Sequence, residues 1–240
     1  MMEVLNDLVG YKNMKIYQNT DWFSFSLDSV LLPNFVTLRK NVKNIIDLGT
    51  GNAPIPLILT TRTNAKITAV EIQKDVYELA KKTVELNKLD DRIELINIDI
   101  LDLKSIYESD SFDVVVSNPP YFKLNESSNV NDDIHKIIAR HEKCLNLEQL
   151  AYMAKYLLKN NGVFAMIHRT DRLIEIINVL SKNNLQVKKL RFIYPKEDTE
   201  SNMVLVEATK NGNVGLKLLP PLYVHDEDGN YTEEVLKYFE

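Results

Sequence analysis

A buried strand and a rigid loop are encoded together in the run Phe112-Asp113-Val114-Val115-Val116-Ser117-Asn118-Pro119-Pro120-Tyr121. Its first six residues are mostly apolar and rich in valine, which predicts a short buried β-strand. Two consecutive prolines cannot donate backbone hydrogen bonds, so the strand ends at Asn118 and the loop after it is stiff. An amide, a proline carbonyl and an aromatic ring are thus expected at the carboxyl end of a strand, where open α/β sheets bind ligands.

Short strands and helices alternate on both sides of this run. Strands are predicted over residues 44–48, 66–71, 92–96, 112–117, 163–168, 187–194 and 202–209. Helices are predicted over 28–38, 55–61, 74–87, 147–159 and 172–183, with a helical turn near 103–107. Alternation of this kind predicts an α/β, Rossmann-like fold, with parallel strands and helices on both faces of the sheet. Because no helix separates the last two of the seven strands, we expect an antiparallel hairpin at the sheet edge.

Local signals refine these elements. Asp28 is predicted to cap helix 28–38, in which Pro33 must fall in the first turn or kink the helix. The run Asn160-Asn161-Gly162 is predicted to stop helix 147–159. The inner face of helix 74–87 is predicted to contain Val76, Leu79, Ala80, Thr83, Val84 and Leu86.

The chain is long enough for one domain with a sizeable core, since 45% of its 240 residues are hydrophobic. We divide residues 1–240 into an N-terminal extension (1–42, with strand-like pieces near 15–18), a Rossmann-like core (43–210) and a C-terminal tail (211–240). No apolar run is long enough to cross a membrane and no signal peptide is recognisable, so a cytoplasmic protein is expected. We expect a monomer or a weak dimer.

Composition excludes several classes of site. The single cysteine, Cys144, cannot form an internal disulfide or a cysteine-based zinc cage. The histidines at positions 135, 141, 168 and 225 lack metal-ligand spacing, so no metal site is expected. A net charge of −5 argues against a broad nucleic-acid-coating surface but allows a local basic patch.

Polar groups follow the predicted strands one after another. The run Asp47-Leu48-Gly49-Thr50-Gly51-Asn52-Ala53 links the first core strand to a helix, and its glycines allow a tight turn close to a ligand. Glu71 ends the second strand, where an acidic residue binds ribose in nucleotide-binding folds. Asp99 follows the third strand and Asn118 the fourth. Turn and cap roles explain any one of them but explain all four together poorly. Because the chain has no triphosphate-binding loop, we expect a nucleoside cofactor without a polyphosphate.

With these residues the chain resembles the class I S-adenosylmethionine-dependent methyltransferases, in the amino-methylating branch marked by Asn-Pro-Pro-Tyr. The resemblance covers nearly the whole chain and implies S-adenosyl-L-methionine as cofactor and S-adenosyl-L-homocysteine as product. Ala53 departs from the glycine usual in that family, which implies a slightly altered loop. The resemblance implies cofactor contacts at Ser26, Asp28, Asp47, Gly49, Gly51, Asn52, Glu71, Ile72, Asp99, Ile100 and Asn118.

Other segments resemble a narrower family, the bacterial tRNA1(Val) adenine-N6-methyltransferases. These are the run Phe23–Leu32, the run 139–142, the run 201–208 and the tail from Pro220 to Thr232. The narrower resemblance implies methylation of an adenosine, at position 37 of a valine-type tRNA anticodon loop. It assigns catalysis to Asn118, Pro119, Pro120 and Tyr121, with two acceptors for the adenine amine and Tyr121 stacked on the base.

An RNA substrate needs cations for its phosphates. We expect a basic rim at the carboxyl edge of the sheet, with the polar loop 123–143 closing over an unstacked base. The rim is predicted to draw on Arg140, Arg169, Arg172, Lys188, Lys189 and Arg191. An ordinary solvated charged face is the alternative interpretation of these residues.

Two other functions stay open at the level of sequence. Asn-Pro-Pro-Tyr would also position the planar amide of a protein glutamine, as in a release factor, although the extension 1–42 is short for the helical bundle usual in such enzymes. A non-catalytic scaffold with the same fold is the second, and the intact tetrapeptide counts against it. Transfer of a labelled methyl group to tRNA or to a release factor would separate them.

Overall fold

The computed structural model of the protein describes residues 3–8, 10–11, 14–19, 26–119 and 146–239. The strands are β1 (Glu3–Asp7), β2 (Lys15–Asn19), β3 (Asn44–Leu48), β4 (Lys66–Glu71), β5 (Ile93–Asn97), β6 (Phe112–Ser117), β7 (Leu158–Arg169), β8 (Leu185–Tyr194), β9 (Met203–Lys210), β10 (Lys217–Leu218) and β11 (Leu222–Tyr223). The α-helices are α1 (Leu27–Phe35), α2 (Pro54–Arg62), α3 (Lys74–Leu86), α4 (Leu147–Leu157), α5 (Leu173–Lys182) and α6 (Glu233–Leu236). Turns of 3-10 helix cover Ile100–Ser105, Thr170–Arg172 and Lys237–Phe239.

The main sheet has the strand order β10-β8-β9-β7-β6-β3-β4-β5, and β11 also pairs with β8. Its longer strands are the seven that the sequence predicts. All of them run parallel except β9, which lies antiparallel between β7 and β8. The mostly parallel α/β sheet and its antiparallel edge hairpin are therefore confirmed. The two-residue strands β10 and β11 extend the sheet beyond β8.

Side chains that alternate along the strands of the sheet contribute to two hydrophobic clusters, one on each face. Val114 and Val116 of β6 face a cluster that includes buried residues of α1, α2 and α3. Val115 faces the opposite cluster, which includes buried residues of α4 and α5. Burial on both faces explains why the strands are near-continuous apolar runs. It also leaves the ends of the strands as the place where polar side chains of the sheet can reach a ligand.

The first helix differs from its prediction. Ser26, not Asp28, is the N-cap residue, and its side chain makes no capping hydrogen bond. Asp28 lies in the first turn, where a negative charge is favourable beside the helix N-terminus. Pro33 lies inside the helix, past the first turn, because α1 begins at Leu27.

Two further predictions are wrong in detail. Leu86 is 42% exposed, because it is the last residue of α3, whose buried stripe ends at Val84. Helix α4 ends at Leu157, and the run Asn160-Asn161-Gly162 lies within the strand β7. Asn161 there adopts a left-handed φ of +62°, and the pairing of β7 with β6 is irregular at this point. The signal that suggested a helix end therefore marks an irregularity in an extended segment.

The N-terminal extension contains the antiparallel hairpin β1–β2, which packs on α3. The Tyr17 amide donates to the Thr83 hydroxyl at 3.1 Å. Asn87, the C-cap residue of α3, donates to the Lys15 carbonyl at 2.7 Å. Within the described ranges no helix combines the length and the apolar character that a membrane span requires.

Candidate active site

The loop between β3 and α2 presents its backbone to open space. Gly49 and Gly51 have left-handed φ angles of +80° and +59°, which glycine adopts without strain. A Cβ atom at either position would meet no atom of the described residues within 4 Å. The amides of Gly49 and Thr50 donate to the Val70 carbonyl at 3.0 and 2.9 Å. Two backbone hydrogen bonds thus connect the loop to β4, and the side of the loop on which Gly49 and Gly51 lack side chains has room for a ligand.

Ala53 also has a left-handed backbone, with φ of 70° and ψ of 33°, and it is fully buried. A non-glycine residue in this conformation carries roughly 1–2 kcal/mol of strain. Helix α2 follows at once, and Pro54 and Pro56 are tolerated because the first turn of a helix needs no amide donors. The departure from glycine at this position therefore appears as backbone strain at the start of α2.

Glu71 joins the loop to the end of β4. Its side chain is buried, its Oε2 accepts the Gly51 amide at 3.0 Å and its Oε1 accepts the Gln73 amide at 2.9 Å. A carboxylate oxygen can accept more than one hydrogen bond, so Glu71 retains acceptor capacity for a ligand.

Asp47, near the end of β3, is fully buried, and neither of its carboxylate oxygens has a hydrogen-bond partner among the described residues. Burial raises the pKa of Asp47 to about 7. The Thr50 hydroxyl lowers the pKa in part, although no hydrogen bond of good geometry joins it to the carboxylate, and the charge of Glu71 raises the pKa further. An unsatisfied buried acceptor is costly to the fold, and a cationic ligand group would relieve it.

The end of β5 contributes a residue that sequence reasoning missed. The Asn97 side chain donates to the carbonyls of Glu71 and Ile72, at 2.7 and 3.0 Å. Asp99 caps the 3-10 turn that follows, where its Oδ1 accepts the Leu101 amide at 2.8 Å. Ile100 is buried beside it, whereas Ile72 is 39% exposed. The sequence indicates only the position of Asn97, directly after the predicted strand 92–96, and not the contacts that its side chain makes.

Asn118 and Pro119 lie at the end of β6, and both are half-buried. Val116 pairs with Asp47 across β3 and β6, so Asn118 lies two residues beyond Asp47 at the same edge of the sheet. The buried Ser117 hydroxyl, which the sequence did not single out, donates to the Leu48 carbonyl at 2.8 Å. Pro120, Tyr121, Arg140 and the loop 123–143 lie outside the described residues.

The N-terminal hairpin reaches the glycine loop. The Asn52 side chain donates to the Tyr17 carbonyl at 2.8 Å, which ties β2 to the loop. This side-chain amide is therefore engaged within the protein. Ser26 and Asp28 lie at the start of α1, which packs against α2.

Two arginines lie at the carboxyl end of β7, the strand next to β6: Arg169 is its last residue, and Arg172 ends the 3-10 turn that follows. Arg169 forms an exposed ion pair with Asp171 at 3.2 Å. Arg172 donates to Glu175 through Nε and Nη2, at 3.1 and 2.7 Å. His168, the residue before Arg169, is buried, and its burial, followed by the Arg172 charge, lowers its pKa to about 4. Its Nδ1 accepts the Arg169 amide at 2.8 Å, so the imidazole is neutral near pH 7 and orders the strand end.

The basic residues of β8 are engaged elsewhere. Lys189 is paired with the buried Glu207 at 2.9 Å. It lies in the same cross-strand row of the sheet as Asp47 but four strands away, so about 19 Å separates the two backbone positions. Arg191 donates to the Tyr238 hydroxyl at 3.1 Å and is paired with Glu234. Lys188 donates to the Asn213 carbonyl at 3.0 Å. The structure thus brings Asp47, Glu71 and Asn118 to one edge and leaves these three cations away from it.

Comparison with known proteins identifies the fold and the family of the chain. The family model described as a methyltransferase domain matches residues 39–214. In fold, the chain resembles the crystal structure of a predicted O-methyltransferase from Agrobacterium tumefaciens, with a TM-score of 0.70 and 20% identity over 88% of this chain and 95% of that one. It also resembles geranyl diphosphate C-methyltransferase from Streptomyces coelicolor, with a TM-score of 0.57 and 11% identity over 76% and 79% of the two chains.

Curated relatives are more similar in sequence. A protein of Phocaeicola vulgatus, named tRNA1(Val) (adenine(37)-N6)-methyltransferase, is 32% identical over 84% of this chain and 83% of its own length. The protein of the same name from Bacteroides thetaiotaomicron is 29% identical over 98% of both chains. The matches to the family model and to these relatives show that the chain belongs to the methyltransferase-domain family that includes them.

Proposed function

We propose that the protein is a cytoplasmic S-adenosylmethionine-dependent methyltransferase that modifies N6 of an adenosine in tRNA, at position 37 of a valine-type anticodon loop. The observation that carries the proposal is the convergence of Asp47, Glu71 and Asn118 at one edge of the sheet. It is supported by the names of relatives that align over most of the chain.

The residues around the glycine loop fit this cofactor. The Asp47 carboxylate, without a hydrogen-bond partner in the described part of the chain, suits the ammonium group of the methionine moiety. Glu71 has acceptor capacity left for ribose hydroxyls. The open space in front of Gly49 and Gly51 allows close approach to the backbone. We assign the adenine ring to the exposed Ile72 and the segment from Asp99 to Ile100.

When bound, S-adenosylmethionine supplies an electrophilic methyl group on a sulfonium. We assign to the Asn118 side-chain oxygen and the Pro119 carbonyl the two N–H groups of the adenine amine. These acceptors stabilise the nitrogen more strongly as it becomes positive, which is the binding that accelerates a reaction. The adenine nitrogen would bond the methyl carbon with its own electron pair, the carbon–sulfur pair would stay with the released S-adenosylhomocysteine, and the surplus amine proton would pass to water. No side chain is therefore required as a base before the transfer. We assign Tyr121 to stack on the base, worth roughly 1–3 kcal/mol.

For the RNA backbone we retain Arg169 and omit Arg172, Lys189 and Arg191, whose charges are neutralised within the protein by Glu175, Glu207 and Glu234. The pair between Arg169 and Asp171 is exposed, so it is worth less than about 1 kcal/mol and can be exchanged for a phosphate. The carboxyl edge beyond β8 is acidic, since Glu197, Asp198 and Glu200 follow it in the chain. RNA is therefore expected to approach over β6 and β7.

Transfer of labelled methyl groups to total tRNA, followed by nucleoside digestion, tests the function. We expect N6-methyladenosine as the labelled product. Asn118→Ala should lower turnover roughly 10²–10³-fold and weaken S-adenosylhomocysteine affinity far less, because the lost acceptor acts mainly in the transition state. Glu71→Ala should instead weaken that affinity. Label in a release-factor glutamine would replace RNA by a protein substrate, and label in neither would reject the proposal.

A further inference from the structure

Asn97 holds the turn that carries the assigned ribose ligand. It is the last residue of β5 and pairs with Glu71, the last residue of β4, in the parallel ladder. One side-chain amino group, Nδ2, donates to two successive carbonyls, those of Glu71 and Ile72. Two donors on one nitrogen therefore fix two neighbouring peptide groups where the ladder between the strands ends.

The same turn is fixed from its other side by the Glu71 carboxylate. The carboxylate accepts the amides of Gly51 and Gln73, at 3.0 and 2.9 Å. Its orientation therefore depends both on the glycine loop and on the backbone from which the side chain starts. Asn97 is the side chain that orients this backbone, through its carbonyls. A shift of the turn would move the Glu71 carboxylate and the exposed Ile72 together.

We propose that Asn97 is a positioning residue for the nucleoside part of the cofactor, acting through the carbonyls of Glu71 and Ile72. The inference rests on the proposed function, in which Glu71 holds the ribose. A purely structural role is the competing explanation, since hydrogen bonds between two strand ends also stabilise a fold.

The chain offers a matched control in Asn87. Its Nδ2 also donates to two carbonyls, those of Lys15 and Thr83, at 2.7 and 2.6 Å. This bridge joins the N-terminal hairpin to the end of α3 and does not touch Glu71 or Ile72. Asn87 Oδ1 also accepts the Lys15 amide at 3.0 Å, so Asn87→Ala should lower the melting temperature at least as much as Asn97→Ala.

Calorimetric titration with S-adenosylhomocysteine separates the two roles. We expect Asn97→Ala to weaken binding about tenfold and Asn87→Ala to change it less than twofold. Asn97→Asp has the same shape but turns a carboxylate oxygen toward two carbonyls, so it should bind more weakly than Asn97→Ala. At saturating cofactor the turnover of Asn97→Ala should remain within about twofold of the wild type.

A double-mutant cycle tests whether Asn97 acts through Glu71. In a Glu71→Ala background, Asn97→Ala should weaken binding clearly less than it does in the wild type, because the group it positions is gone. Wild-type affinity in Asn97→Ala, or fully additive losses in the double variant, would overturn the positioning role while the proposed function stands. A wild-type protein that does not bind S-adenosylhomocysteine would overturn both.

Discussion

Asp47 keeps a carboxyl group fully buried in the sheet with a pKa of about 7, well above its ordinary value of 3.8. The folded protein therefore binds this proton more tightly than the unfolded chain does. The stability that the proton contributes is fully present below about pH 4 and is lost as pH rises to about 7. His168, with a pKa lowered to about 4, has the opposite effect between about pH 4 and 6.5.

Asp47→Asn isolates the first effect, because His168 is common to both proteins. The quantity to compare, in the absence of cofactor, is the free energy of unfolding of the variant minus that of the wild type. This difference should increase by a few kcal/mol between pH 4 and pH 8, because each unit of pKa shift is worth about 1.4 kcal/mol. Urea titrations at several pH values measure this difference. A difference that does not change with pH would show that Asp47 ionises normally.

Single residues also show what a sequence can predict. Asp47, Glu71, Asp99 and Asn118 could be found because strand ends are visible in the pattern of apolar runs. The role of Asn97 could not be found, because its partners are backbone carbonyls of another strand. Nothing in the residue types near position 71 records that contact.

Helix α1 is joined to the β8–β9 hairpin by a buried charge network. Lys189 lies 2.9 Å from Glu207 and also donates to the Phe35 carbonyl and the Thr37 hydroxyl, each at 2.8 Å. The Glu207 carboxylate in turn accepts the Thr37 amide at 2.7 Å. The network fixes the end of α1, the helix that begins after Ser26 and contains Asp28, two of the cofactor contacts that the resemblance implies.

Lys189→Met should destabilise the protein by roughly 3–5 kcal/mol, because it leaves Glu207 buried without its ion-pair partner. Lys182→Met is the control, since Lys182 is highly exposed and 3.8 Å from an exposed Glu148, and it should change stability by less than about 0.5 kcal/mol. Chemical denaturation measures both. Equal small effects would mean that Glu207 is satisfied without the lysine.

Elements with a strong hydrophobic period were predictable from the sequence. The role of a run of turn-forming residues was not, because such a run occurs in more than one structural context. The bounds of β3, β4 and β6 agree with the apolar runs that predicted them. The run Asn160-Asn161-Gly162 favours a left-handed residue, which occurs after helices and also within irregular strands. Only the pairing of Leu158 with Phe112, and of Val163 with Val114, decides between the two.

Across the whole molecule, the ends of the chain meet. Gly10, with φ of +84°, lies so close to Phe239 that a Cβ atom there would be 2.0 Å from the Phe239 Cα. The tail also follows the carboxyl edge, where the His225 amide donates to the Pro195 carbonyl at 2.9 Å. Neither contact could be predicted, because residues so far apart in sequence leave no periodic signal.

The same tail carries Asp226, Glu227 and Asp228 to the acidic side of this edge. If RNA lies over β6 and β7, its affinity should fall steeply with salt, and Arg169→Ala should reduce the slope of log K against log salt by about 1. Fluorescence titration with tRNA at several salt concentrations measures the slope. Lys182→Ala, at the far end of α5, is the control. An unchanged slope in Arg169→Ala would remove Arg169 from the RNA surface.

The position of β9 between β7 and β8 has a consequence for the order in which the chain can fold. β8 has no ladder with β7, and its partners are β9, β10 and β11, all of which follow it in the chain. During synthesis β8 therefore lacks a partner strand until residues 203–210 leave the ribosome and insert between β7 and β8. Lys189 lacks its ion-pair partner Glu207 over the same interval. A nascent chain halted before Met203 is therefore expected to present unpaired strand edges at β7 and β8, which favour aggregation.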